Sequence, residues 1–122
     1  MSRATGRDGG GRRVLVVDDD ADFRLLIRMH LEDRGYQIVG EASNGATAIS
    51  AAFKLDPDVI TLDYQMPLLT GDLALEHIRD IRPDVKVVVI SATLGEPPDW
   101  ADVFLPKDRL VDLPDVLDEL FS

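Results

Sequence analysis

Three stretches of this chain are apolar or β-branched at every position or nearly so: Val14-Leu15-Val16-Val17, Val59-Ile60-Thr61-Leu62 and Val85 to Ile90. A strand that is apolar without alternation is buried on both faces. Such strands need helices above and below them, which means a parallel sheet between two helical layers. The segments in between supply those helices. Ala21 to Arg34 carries a stripe of Phe23, Leu26, Ile27, His30 and Leu31 and stops at Gly35. Gln37 to Ala42 is a short strand, and Asn44-Gly45 is a turn that opens a helix over about Ala46 to Lys54, bounded by Pro57. Leu73 to Ile81 is helical. Val103-Phe104-Leu105 is a weak fifth strand, and a last helix runs from Pro114 to Phe121 with proline in a favoured first position.

At 122 residues this is one domain. The chain has no cysteine, which excludes disulfides and thiolate metal sites. No apolar run approaches the roughly 18 residues of a membrane span. Residues 1–13 lack the apolar core of a secretory signal, so a cytoplasmic location is expected. The net charge is −10. Residues 1–13 hold four arginines against Asp8, so the rest is more acidic still. Such a body repels phosphate backbones, and direct nucleic-acid binding is not expected. The glycine-rich start reads as a disordered basic tail over 1–13, ahead of a domain over 14–122.

In parallel sheets of this kind, ligands bind beyond the carboxyl ends of the strands. The residues there are Asp18, Asp19, Asp20, Asp63, Ser91 and Lys107. Acids this close do not stay ionised together without a cation, and a hard divalent ion such as Mg²⁺ answers that need. Asp20 or Asp22 is placed to cap the first helix. Lys107 is positioned to pair with Asp63 or with a phosphoryl oxygen. Of the remaining polar and sulfur side chains, His30 reads as a core or boundary residue, and His77 has no metal-spaced partner. Met29 and Met66 read as packing residues, and the acids of 112–119 as a solvated face.

With these residues in place, the chain resembles the receiver domain of bacterial two-component response regulators over about Arg13 to Phe121. The likeness rests on Val-Val-Asp-Asp-Asp at 16–20, Leu-Asp-Tyr-Gln-Met-Pro at 62–67 with Gly71, Ser-Ala at 91–92, and Lys107. It implies a flavodoxin-like, doubly wound sheet of five parallel strands in the order 2-1-3-4-5. It implies that Asp63 accepts the phosphoryl group from a histidine kinase or phosphotransfer protein. Mg²⁺ would be held by Asp19, Asp63 and the backbone carbonyl of Gln65, with Asp18 acting through a water. Ser91 matches the switch hydroxyl, Lys107 the lysine that pairs with the phosphoryl group, and Phe104 the aromatic switch position. Having no hydroxyl, Phe104 would act by packing alone.

Two other readings stand beside this one. The first is a Mg²⁺-dependent phosphohydrolase with an aspartate nucleophile. Such enzymes commonly carry a second acid two residues on, where this chain has Gln65. The second is a receiver-like scaffold that no longer switches.

The chain also departs from the family pattern. Only Thr93 to Trp100 separate Ala92 from Ala101, and Pro97-Pro98 lie among them. That is too short for a helical crossover, so a loop is expected in place of the family's fourth helix. Trp100 is expected to fill the vacated space. Lys107 is followed by Asp108 where the family usually has proline, which puts the usual cis turn in doubt.

Overall fold

The apolar runs form the middle of a five-stranded parallel sheet. The computed structural model describes residues 10–64, 71–92, 99 and 101–122. Its elements in order are β1 (Arg13–Val17), α1 (Ala21–Arg34), β2 (Gln37–Ala42), α2 (Gly45–Leu55), β3 (Val59–Asp63), α3 (Gly71–Ile81), β4 (Lys86–Ser91), β5 (Val103–Pro106), a 3-10 helix (Lys107–Asp112) and α4 (Leu113–Leu120). The sheet order is β2-β1-β3-β4-β5, and every pairing is parallel. This is the flavodoxin-like doubly wound arrangement. β1, β3 and β4 are flanked on both sides, so their side chains are buried almost without exception.

Alternate strand residues feed two cores. Val14, Val16, Val59, Val88 and Ile90 pack against Ile27 and Leu31 of α1 and Leu113 and Leu117 of α4. Leu15, Val17, Ile60, Leu62 and Val89 pack against Ala48 and Ala52 of α2 and Leu75 and Ile78 of α3. Asp20 caps α1, its carboxylate accepting from the Asp22 and Phe23 amides at 2.9 and 3.4 Å. Gly35 closes the helix at φ 99°, a left-handed conformation that suits glycine. The expected apolar stripe needs one correction. Leu26 is 46% exposed, beside exposed Leu25 and Met29. The buried face is centred on Ile27 and Leu31, and Leu26 sits about 100° around the helix from Ile27.

Arg12 and Arg13, at the end of the expected tail, both make contacts with the domain. The Arg13 amide donates to the Asp58 carboxylate at 2.8 Å and its guanidinium to the Leu55 carbonyl at 2.6 Å. The Arg12 guanidinium lies 4.2 Å over the Phe121 ring. Residues 1–9 lie outside the described residues. So does the expected helix-free connection over Thr93 to Trp100, apart from Asp99. Among the described residues between Ser91 and Val103, none is helical. β5 is fastened at its start by Asp102. The Asp102 amide donates to the Val87 carbonyl at 2.9 Å. Its carboxylate accepts from the Val87 amide at 2.7 Å and from Arg79 at 3.1 Å. Pro106 ends this edge strand, a position that tolerates a residue without an amide hydrogen. The Lys107–Asp108 peptide is trans, as are all peptide bonds among the described residues.

α4 is tied to the end of α1 through Asp118. Its carboxylate accepts from the Arg34 guanidinium and, at 2.7 Å, from the Tyr36 hydroxyl. Burial, then the hydrogen bond and charge of Asp118, push the Tyr36 phenol well above its ordinary pKa. The native state therefore keeps this proton after the unfolded chain has lost it. The stabilisation is complete below about pH 10 and is lost as pH rises beyond it. Urea melts between pH 9 and 11 should show a fall in stability that is shallower in Tyr36→Phe. Equal slopes would refute the assignment.

Candidate functional site

The carboxyl ends of β1 and β3 lie side by side because these strands pair in register, Val17 opposite Leu62. Asp18 follows β1 directly and Asp63 is the last residue of β3, so their side chains share the mouth of the sheet. Asp18 is 1% exposed and Asp63 6%, whereas Asp19 faces solvent. One carboxylate oxygen from each of Asp18, Asp19 and Asp63 lies within 4.8 Å of the others. Lys107, first residue of the 3-10 helix, brings its Nζ to 3.0 Å from Asp18 Oδ2 and 3.8 Å from Asp63 Oδ2. Burial lowers the pKa of this ammonium. The hydrogen bond to Asp18 and the charges of Asp63, Asp18 and Asp19 outweigh it and hold the pKa above the ordinary lysine value.

The β1–α1 loop that carries the acids is held from several sides. The Asp18 amide donates to the Ala42 carbonyl at 3.0 Å, and Asp18 Oδ1 accepts from the Asp20 amide at 2.8 Å. Arg24 donates to the Asp18 carbonyl at 2.6 Å and to Glu41 at 2.9 Å. Glu41 also accepts from Arg28 at 2.9 Å, so one carboxylate on β2 holds both arginines of α1.

Ser91 ends β4, 3% exposed, opposite Pro106. The neighbouring Ile90 is opposite Asp63, so Ser91 lies one residue beyond that register. Phe104 is half-buried against the α2–α3 core. Gln65 lies outside the described residues, as do Met66 and Trp100. His77 is exposed and belongs to no metal-holding group among the described residues.

Three carboxylates and one ammonium leave a surplus of negative charge, lined by hard oxygen donors. That donor set fits a divalent ion such as Mg²⁺ that keeps part of its water shell. The family described as the response regulator receiver domain matches residues 14–103. The chain belongs to that family. This receiver domain is 40% identical over 82 residues to the chemotaxis protein CheY of Thermotoga maritima, spanning 67% of this chain and 68% of that one. It is 41% identical over 83 residues to protein-glutamate methylesterase/protein-glutamine glutaminase 4 of Geobacter metallireducens, but spans only 24% of that longer protein. Among solved structures, it matches the response regulator domain of Thermotoga maritima CheB with a TM-score of 0.74 and 32% identity, over 90% of both chains. Like its family, the receiver domain is a phosphoacceptor module of two-component signalling.

Sequence reasoning placed Asp18, Asp19, Asp63, Ser91 and Lys107 at this end of the sheet. It did not connect Arg24 or Phe23 with them. Arg24 carries a weak signal, lying one turn into a helix capped from the same acidic loop. Phe23 reads as core in the sequence. In the structure its ring lies under Lys107, 4.4 Å from centroid to Nζ.

Proposed function

We propose that Asp63 is the phosphoacceptor of this receiver domain. The observation that carries the reading is a buried Asp63 carboxylate 3.8 Å from Lys107 and grouped with Asp18 and Asp19. An Asp63 oxygen attacks phosphorus in a phosphohistidine of a histidine kinase or phosphotransfer protein. A P–O bond forms and the P–N bond breaks. The ring, protonated on its other nitrogen, departs with the electron pair as neutral imidazole, leaving an acyl phosphate. Such a transfer needs alignment and charge neutralisation more than covalent help from other groups.

Asp19, Asp63, the Gln65 carbonyl and, through water, Asp18 would hold Mg²⁺, which supplies positive charge against the phosphoryl oxygens when bound. Lys107, already directed into the acid cluster, supplies the second positive charge. Ser91 donates a hydrogen bond to the phosphoryl group and relays its presence to the β4 end. Phe104 passes the change on by packing. The partner that reads the change is a protein. Residues 14–122 act as the receiver, with Arg13 as the first residue of β1. Neither the scaffold nor the phosphohydrolase reading is favoured, since acids and lysine are assembled as a phosphoacceptor requires.

Incubation with acetyl phosphate and Mg²⁺, followed by intact-mass measurement, tests the reading. One added phosphoryl group that is lost in alkali is expected. No mass gain at millimolar metal would overturn it.

A further inference from the structure

We propose that Phe23 is a positioning residue for phosphotransfer, acting through Lys107 as an aromatic floor that keeps its ammonium between Asp18 and Asp63. The proposal rests on the reading of Lys107 given above.

Lys107 reaches the acids on a flexible stem, and its ammonium is a compact, strongly hydrated charge. Two of its sides face carboxylates, Asp18 at 3.0 Å and Asp63 at 3.8 Å. A third lies over the Phe23 ring face at 4.4 Å, well inside the roughly 6 Å reach of a cation–π contact. Phe23 is in the first turn of α1, pinned by the Asp20 cap, and its side chain packs against the α1–α4 core. The ring is therefore held from its own helix, independently of Lys107. It occupies the side on which water would otherwise solvate the ammonium. After transfer, Nζ needs to move only from an Asp63 oxygen to a phosphoryl oxygen on the same side chain.

The test separates ring electrostatics from bulk. Phosphorylation rate constants are measured in the full chain with acetyl phosphate at saturating Mg²⁺, with thermal melts alongside. Phe23→Leu keeps an apolar side chain but loses the ring, and should slow phosphorylation about threefold to tenfold, the span of a partly desolvated cation–π contact. Phe23→Trp should recover most of that loss. In a Lys107→Ala background, Phe23→Leu should cause no further slowing, because the ring then has no cation to hold. Should Phe23→Leu melt near the assay temperature, Phe23→Met is read in its place.

A Phe23→Leu rate equal to the parent's overturns the proposal. So does a loss of equal size in the Lys107→Ala background, which would make the ring a packing element only. If Lys107→Ala alone matches the parent, the reading of Lys107 falls and the proposal falls with it. If Lys107→Ala is slow while Phe23→Leu is not, only the proposal falls.

Discussion

Asp63→Asn is expected to abolish covalent phosphorylation, with no phosphoryl mass gained under conditions that modify the parent fully. The two side chains have nearly the same shape, so the substitution leaves packing at the end of β3 intact. What it removes is the anionic oxygen that attacks phosphorus. It also removes one of two buried negative charges, since Asp18 and Asp63 are 1% and 6% exposed. Metal-free Asp63→Asn should therefore melt no lower than the parent, unlike most changes to a buried polar group. A variant that gains phosphate at the parental rate would move the acceptor elsewhere.

Lys107→Met should destabilise the metal-free protein by about 3 kcal/mol at neutral pH, the low end of the cost of stripping one partner from a buried ion pair. Its ammonium lies within 4 Å of both buried carboxylates. A methionine fills similar space and offers them nothing. Because the lysine's pKa is held above its ordinary value, the stabilisation it provides is present below about pH 10 and fades as pH climbs past that. Millimolar Mg²⁺ should restore much of the loss, since a ligand of the native state alone stabilises it by mass action. Asp19→Asn should shrink the Mg²⁺ gain in the parent. Urea melts with and without Mg²⁺ measure both effects. A Lys107→Met protein as stable as the parent without metal would show that the acids do not depend on this lysine.

Much of this site is legible in the sequence because fully buried parallel strands announce themselves as unbroken apolar runs. Where such a run stops, the next residue lies at the sheet's carboxyl edge, and this alone places Asp18, Asp63 and Ser91. Lys107 follows by the same logic one residue beyond Pro106. What periodicity does not carry is contact between distant segments. Phe23 and Lys107 are far apart in the chain, and a phenylalanine at a core-facing helical position looks the same whether or not a cation rests on it. Leu26 fits the apolar stripe in the sequence yet is exposed, because the buried face of α1 is narrower than its apolar residues suggest. The 3-10 helix at Lys107–Asp112 has no repeat for a sequence pattern to detect. The anchoring of Arg12 and Arg13 depends on Phe121, Asp58 and Leu55, which no local reading joins to the first residues.

The clasp that Asp102 makes on Val87 has a consequence for how this domain tolerates change. It fixes where β5 starts relative to β4, and five residues later the chain delivers Lys107 to the acids. The position of the ammonium is thus set downstream of the clasp, not by the path of the chain before it. The clasp lies outside the segment between Ala92 and Ala101, so β5 and Lys107 should keep their place if that segment changes length. Insertions there can diversify what the domain presents to others while the phosphoacceptor chemistry stays as it is.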